Sequence, residues 1–264
     1  MGVRLIALDI DGTILPYDGI ASGGDPSPRL RAAVTALVED GRTVMLASGR
    51  MRAGVIRVAR QLGLETPFIA QEGCLIAHGD GAVVRELKID RQLALEVSAY
   101  ARESGLDYEW FSSDRYAVTT ESPATKYYAE LGEVTPEVHE RPETLGIEPN
   151  GVGVLADAEQ SSRVHRELVE RLGHSLHLLD FPFVTVALAP EATKGHALSL
   201  VAQDLGIAAS ETVAIGDSVN DVSMLAWAGR GLAVAKGHQS AKDAANEVLP
   251  DEEDAVAKVL ESLL

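Results

Sequence analysis

Three short apolar runs, residues 3–8, 43–47 and 212–215, each end abruptly in a cluster of polar residues. Runs this short do not make helices, and they show no polar alternation, so they read as strands buried on both faces. Such strands need helices on either side, and the sequence supplies them. Leu30, Ala33, Val34, Leu37 and Val38 recur at helical spacing across residues 28–40, with Pro28 opening the segment and Gly41 stopping it. Val55, Ile56, Ala59 and Leu62 form a second stripe that ends at Gly63, and Phe68-Ile69-Ala70 follows as another strand. This alternation predicts an α/β fold with a doubly wound, Rossmann-like parallel sheet.

Near residue 80 the rhythm breaks. Gly79-Asp80-Gly81 lies between Leu75-Ile76-Ala77 and Ala82-Val83-Val84, which predicts a hairpin. Residues 83–187 read as a separate α+β domain inserted into the first. It holds expected helices at 91–104 and 158–172, strands near 108–111, 116–120, 176–179 and 183–189, and a polar Glu- and Pro-rich stretch over 121–149. Gly151-Val152-Gly153-Val154-Leu155-Ala156 mimics a dinucleotide fingerprint but follows no strand, and reads as a strand itself. After Lys194 the first rhythm returns, with a helix over Ala197–Leu205, the 212–215 strand, a helix around 221–228, a strand at 231–235 and a final helix at 252–263. The expected division is a core of residues 1–82 and 188–264 with a cap of residues 83–187.

The charge bounds the partners. With 23 Lys and Arg against 40 Asp and Glu, the net charge is −17, which argues against nucleic acid and against an anionic membrane surface. An anionic substrate would therefore need a local reversal of the field. The single cysteine, Cys74, excludes an internal disulfide and a cysteine-rich zinc site, and is expected in the core of a protein of the reducing cytoplasm. The apolar start meets Asp9 too soon for a signal peptide, and no stretch reaches membrane length. Nothing in the sequence sets an oligomeric state.

Ligands of open α/β sheets bind at the carboxyl ends of the strands. The three runs are followed there by Asp9-Ile10-Asp11-Gly12-Thr13, by Ser48-Gly49-Arg50 and by Gly216-Asp217-Ser218-Val219-Asn220-Asp221. Lys194 stands at the mouth of the next helix. If the strands are parallel neighbours, these clusters share one rim. Four carboxylates at one edge repel one another unless a cation sits among them, and hard oxygen ligands with open positions suit Mg²⁺. The Thr13 and Ser48 hydroxyls, the Lys194 ammonium and N–H groups at glycine turns bind anions. Metal and anion donors together fit a phosphoryl group. Asp9 is the expected nucleophile, Asp11 the acid and base, Asp217 and Asp221 the metal holders, and Ser48 and Lys194 the stabilisers of phosphoryl charge.

These residues make the chain resemble the haloacid dehalogenase superfamily of phosphatases, in the Cof-type group whose large cap lies between the second and third motifs. Asp9-Ile10-Asp11-Gly12-Thr13 matches the first motif and Ala47-Ser48-Gly49-Arg50 the second. Lys194-Gly195 matches the third, and Gly216-Asp217-Ser218-Val219-Asn220-Asp221 the fourth. The resemblance implies a Mg²⁺ site made by the Asp9 and Asp217 carboxylates and the Asp11 main-chain oxygen, supported by Asp221. It also implies that Asn220 lies near the phosphate, alongside Thr13, Ser48, Gly49 and Lys194. Two departures bear on substrate choice: Glu72-Gly73 where the family often has Asn-Gly, and Lys236-Gly237-His238 where many members have Gly-Asn. The expected partner is a small soluble phosphate ester, such as a sugar phosphate or phosphoglycolate. A sugar phosphomutase using the same intermediate, and a phospho-accepting regulatory module, are the alternatives.

Among other features, an EF-hand starting at Asp9 fails because its sixth position is Ile14. His174 and His177 read as surface residues, and Tyr127 and Tyr128 as packing or pocket residues of the cap.

Overall fold

Strand Leu5–Leu8 is wholly buried and pairs in parallel on both edges, with Thr43–Leu46 on one side and Thr212–Gly216 on the other. These coordinates come from a computed structural model that describes residues 2–16 and 24–264. The parallel sheet runs on from Thr212–Gly216 through Arg230–Ala233 to a two-residue edge strand, Glu247–Val248. From the central strand the chain first moves to one neighbour and later returns to the other. Leu5–Leu8 therefore ends at the topological switch point, where a crevice opens.

Strand alternation divides the core into two layers. Ile6, Leu8, Val44, Leu46, Val213 and Ile215 pack with helices Pro28–Glu39, Arg52–Leu62 and Ala255–Ser262. Leu5, Ala7, Met45 and Ala214 face helices Lys194–Asp204, Val222–Trp227 and Gln239–Ala244. This is the predicted doubly wound arrangement. One expected member sits differently: Phe68–Ala70 is no ladder strand of the main sheet and meets it in an isolated parallel bridge between Ala47 and Ile69. It pairs instead with Leu75–Ala77, which pairs with Val83–Glu86, forming a small antiparallel sheet. The second of these pairings is the expected hairpin.

Between Tyr108 and Leu188 lies a six-stranded sheet. Its order is His177–Phe181, Val184–Leu188, Gly151–Leu155, Tyr108–Phe111, Tyr116–Val118, Glu137–Val138, and all pairs but the last are antiparallel. Gly151–Leu155 is thus an inner strand, as its apolar run requires. Helices Arg91–Glu103 and Ser161–Leu172 cover one face around the buried Trp110, whose indole N–H donates to Ser98 Oγ at 2.8 Å. The other face, with Phe111, Tyr116, Val118 and Leu188, packs against Met51, Cys74 and Ala192 of the parallel-sheet unit. Cys74 is 1% exposed, as expected of a small core residue. On this face Tyr116 donates a short hydrogen bond to the buried Glu109 carboxylate.

The polar stretch 121–149 conceals a helix, Pro123–Gly132. It begins at a capping box in which Ser122 and Thr125 satisfy each other's backbone N–H groups. Its inward face is mostly Thr125, Ala129 and Leu131, too weak a stripe to stand out among Glu and Lys. Helix Gln239–Ala244 and the edge strand Glu247–Val248 are likewise too short to show periodicity. Among the described residues no helix is long and apolar enough to cross a membrane.

Candidate active site

The central strand delivers Asp9 to the switch point at 4% exposure, and the Asp9 N–H still donates to Ile215 O at 3.0 Å. Beyond it the chain turns sharply, with the N–H groups of Ile14 and Leu15 returning to Ile10 O. Gly12 makes the turn possible. Its φ is +88°, and a Cβ there would strike the Asp217 carboxylate. The close approach lets Thr13 Oγ1 donate to Asp217 Oδ1 at 3.2 Å.

Asp217 and Asp221 follow strand Thr212–Gly216. The Asp221 carboxylate is fully buried, and its Oδ2 accepts from the N–H groups of Asp217 at 2.8 Å and Ser218 at 2.9 Å. Its Oδ1 accepts from Lys194 Nζ at 2.7 Å, and the same ammonium donates to Asp9 Oδ1 at 2.7 Å. A lysine with no exposure is unusual, and this one is held by two carboxylates. It opens helix Lys194–Asp204, whose N-cap Thr193 accepts from His196 N–H.

Carboxylate oxygens of Asp9, Asp217 and Asp221 lie within 4.8 Å of one another. Asp9 Oδ2 is buried and has no hydrogen-bond partner among the described residues. Burial, and next the charge of Asp221, push the Asp9 carboxyl well above the ordinary carboxylate range against the pull of Lys194. Burial and then Asp221 likewise push Asp217 up to about 6. Burial alone would lower the Lys194 ammonium, but the charges of Asp221, Asp9 and Glu72 outweigh it and raise it. Three carboxylates around one ammonium leave surplus negative charge and an orphaned oxygen. A hard divalent cation such as Mg²⁺ fits that donor set.

Asp11, whose main-chain oxygen is expected at the metal, turns its side chain elsewhere. Arg50, 2% exposed, holds both Asp11 oxygens in a fork, Nε at 2.7 Å and Nη2 at 2.5 Å. Ser48 Oγ accepts from Arg50 N–H at 3.2 Å, which tightens the loop between strand Thr43–Leu46 and helix Arg52–Leu62.

After strand Phe68–Ala70 comes a turn in which Gln71, Glu72 and Gly73 all have positive φ, at 50°, 61° and 105°. For the two non-glycine residues this costs on the order of 1–3 kcal/mol each, a cost tolerated where surrounding contacts fix the turn. Gln71 Nε2 donates to Ser112 O at 2.5 Å, and Gln71 Oε1 accepts from Asn150 at 2.8 Å, both in the inserted region. Glu72, 9% exposed, sits over Gly49 so closely that a Cβ there would strike Glu72 Oε1. Its Oε2 accepts from Asn220 Nδ2 at 2.6 Å. Burial raises the Glu72 carboxyl, with Lys194 and the Asn220 hydrogen bond opposing. From helix Pro123–Gly132, the Tyr128 hydroxyl donates to Gly49 O at 3.3 Å.

The structure therefore brings Asp9, Thr13, Lys194, Asp217 and Asp221 into direct contact or within a few ångströms, with Ser48 and Gly49 on the adjoining loop. Asn220 lies at the rim, where its amide is given to Glu72, and it lines a cleft of about 450 Å³ with His177, Ser223 and His238. A model of the haloacid dehalogenase-like hydrolases matches residues 6–260. The chain belongs to this family. This hydrolase is 30% identical to a phosphoglycolate phosphatase of Halorubrum lacusprofundi, a match covering 98% of this chain and 96% of the relative. It is 25% identical to Phosphatase YwpJ of Bacillus subtilis, covering 99% of this chain and all of the relative. A crystal structure of a haloacid dehalogenase-like hydrolase from Bacteroides thetaiotaomicron superposes with a TM-score of 0.85 at 24% identity, covering 99% of this chain and 100% of the other. The hydrolase is a phosphatase of the Cof type, its large cap inserted between the second and third motifs.

Three features of the site lie outside the sequence-based assignment: the grip of Arg50 on Asp11, Glu72 over the second-motif loop, and the cap contact of Tyr128. Each left a trace without a role: Arg50 closes the second motif, Glu72 departs from the family pattern, and Tyr128 reads as a packing or pocket residue of the cap. His177, read as a surface residue, is half-buried, and burial lowers its pKa.

Proposed function

We infer that this phosphatase is Mg²⁺-dependent and hydrolyses a small soluble phosphate monoester, a sugar phosphate or phosphoglycolate-like ester, through an aspartyl-phosphate on Asp9. The observation that carries the reading is the buried, unpartnered Asp9 Oδ2 among Asp217, Asp221 and Lys194. The name of the Halorubrum relative supports a small substrate.

The Asp9 and Asp217 carboxylates and the Asp11 main-chain oxygen would hold Mg²⁺, with Asp221 orienting its neighbours. The ion supplies positive charge that keeps Asp9 ionised and draws a phosphate into an acidic protein. Asp9 attacks phosphorus; Asp11 protonates the departing alcohol oxygen, then accepts a proton from the water that cleaves the acyl phosphate. To do so, Asp11 gives up at least one of its two hydrogen bonds to Arg50. Lys194, the Thr13 and Ser48 hydroxyls and the Gly49 N–H bind the phosphoryl oxygens as negative charge builds, while Asn220, expected at the phosphate, gives its amide to Glu72 at the rim. Residues 83–187 act as the cap over the core of residues 1–82 and 188–264, excluding bulk water and reading the organic group. The single buried cysteine fits work in the cytoplasm.

The direct test is p-nitrophenyl phosphate. Continuous release of nitrophenol with Mg²⁺, stopped by EDTA and restored by Mg²⁺, is the expected result. A single stoichiometric phosphorylation without turnover would instead mark a phospho-accepting module.

Asp217 gives the metal site a pH signature. Its raised pKa means that the folded, metal-free protein keeps a proton that the unfolded chain has already lost between the ordinary aspartate range and about pH 6. That contribution to stability is present at low pH and disappears as pH rises through about 6. Binding Mg²⁺ requires the ionised forms of Asp217 and of Asp9, whose carboxyl is raised as well, so its affinity should weaken by at least about tenfold per pH unit below about 6. The check is the Mg²⁺-induced rise in Tm, which should be large at neutral pH and small at pH about 5; a rise independent of pH would remove Asp217 from the ligand set.

A further inference from the structure

We propose that Glu72 is a specificity-determining residue that takes a hydroxyl group on the organic part of the substrate and turns away a second anionic group, which makes polyol and sugar phosphates, and not phosphoglycolate, the substrate class. The proposal rests on the phosphatase reading above and narrows it. Three observations carry it. Glu72 stands on a turn of consecutive left-handed residues, pinned on one side by Gln71 to Ser112 and Asn150 of the cap and on the other by Gly73 against the Thr193 backbone. Its carboxylate thus occupies a fixed place between the second-motif loop and the cap. An ester whose phosphate met Ser48, Gly49 and Lys194 would extend its alcohol portion past Glu72, whose carboxylate lies against Gly49.

The second observation is the chemistry offered there. Because Asn220 Nδ2 donates to Glu72 Oε2, Asn220 turns Oδ1 the other way, and that oxygen is buried without a partner. A carboxylate and an orphaned amide oxygen are both acceptors, and they call for a donor, which a hydroxyl supplies and a carboxylate does not.

Third, among the described residues the two buried cations of the site already have carboxylate partners. Lys194 is engaged by Asp9 and Asp221, and Arg50 grips Asp11 in a fork. A second carboxylate beside Glu72, itself 9% exposed, would meet like charge where screening by water is poor.

Three esters with one two-carbon skeleton test this: 2-hydroxyethyl phosphate, ethyl phosphate and 2-phosphoglycolate, with p-nitrophenyl phosphate as the reference for phosphatase activity. The wild-type kcat/KM should fall in that order, with ethyl phosphate at least about tenfold ahead of phosphoglycolate. Glu72→Gln keeps the shape and the acceptor toward Asn220 but removes the charge, and should close the gap between ethyl phosphate and phosphoglycolate about tenfold. The wild-type ranking stands as evidence even if the variant folds poorly. A wild-type preference for phosphoglycolate over ethyl phosphate overturns the proposal, as does an unchanged gap in a folded Glu72→Gln protein. Hydrolysis of p-nitrophenyl phosphate with none of the three esters turned over also counts against it. No turnover of any of the four esters strikes at the phosphatase reading instead.

Discussion

Asp9→Asn is expected to lower phosphatase kcat by on the order of 10,000-fold or more while leaving the fold intact. The substitution keeps the size of the side chain, and its amide oxygen still accepts from Lys194. It removes a buried like charge from beside Asp221 and Asp217, so the metal-free variant should melt no lower than the wild type. Lost chemistry with retained stability is the signature of a residue kept for reaction. Activity within about tenfold of the wild type would show that Asp9 is not the nucleophile.

Lys194→Met carries the opposite signature. Its ammonium pairs with both Asp9 and Asp221, and all three side chains are almost entirely shielded. Methionine fills much the same volume but leaves two buried carboxylates unneutralised, a change that costs about 3–5 kcal/mol of stability when one partner of a buried pair is removed. The cost has a predictable pH dependence. Asp9 already holds its proton above the ordinary range, so acid relieves the repulsion, and the destabilisation should shrink as pH falls. Urea denaturation in EDTA at neutral and mildly acid pH measures both features. Added Mg²⁺ should recover part of the lost stability, because it supplies positive charge to the same carboxylates. A loss below about 1 kcal/mol at neutral pH would mean that Lys194 is not what balances the cluster. Activity should fall with stability, since the proposed mechanism also sets Lys194 against the phosphoryl group.

The parts of this architecture that read clearly from sequence are those in which burial dictates composition. Strands Leu5–Leu8, Thr43–Leu46 and Thr212–Gly216 are covered on both faces, so each is a continuous apolar run, and the residue that ends it marks the rim. That pattern alone places Asp9, Ser48 and Asp217 at one edge. Lys194 is different. Nothing in a single lysine distinguishes a buried ion-pair partner from a solvated side chain, and only its position at the start of a returning core helix suggested a role. Helix Pro123–Gly132 was masked by its polar neighbours, because its buried face is narrow and its start depends on the Ser122–Thr125 box.

The side-chain pairings of the rim were least legible. Arg50 and Asp11 are 39 positions apart and Glu72 and Asn220 are 148 apart, so no local pattern links them. The left-handed backbone at Gln71 and Glu72 also runs against the preference of both residues, and tertiary contacts with the cap and with helix Lys194–Asp204 hold it. A residue held against its own preference at the edge of a site is where specificity is to be sought, as argued above for Glu72.

The account depends on Asp9 carrying the phosphoryl group between donor and water. Rapid acid quench of the Mg²⁺-loaded enzyme during turnover, followed by mass spectrometry of the peptide that spans residues 5–16, measures this directly. The predicted result is a phosphoryl adduct on Asp9 that is labile to hydroxylamine and absent from Asp9→Asn. A phosphoryl adduct on any other residue, with Asp9 unmodified, would contradict it.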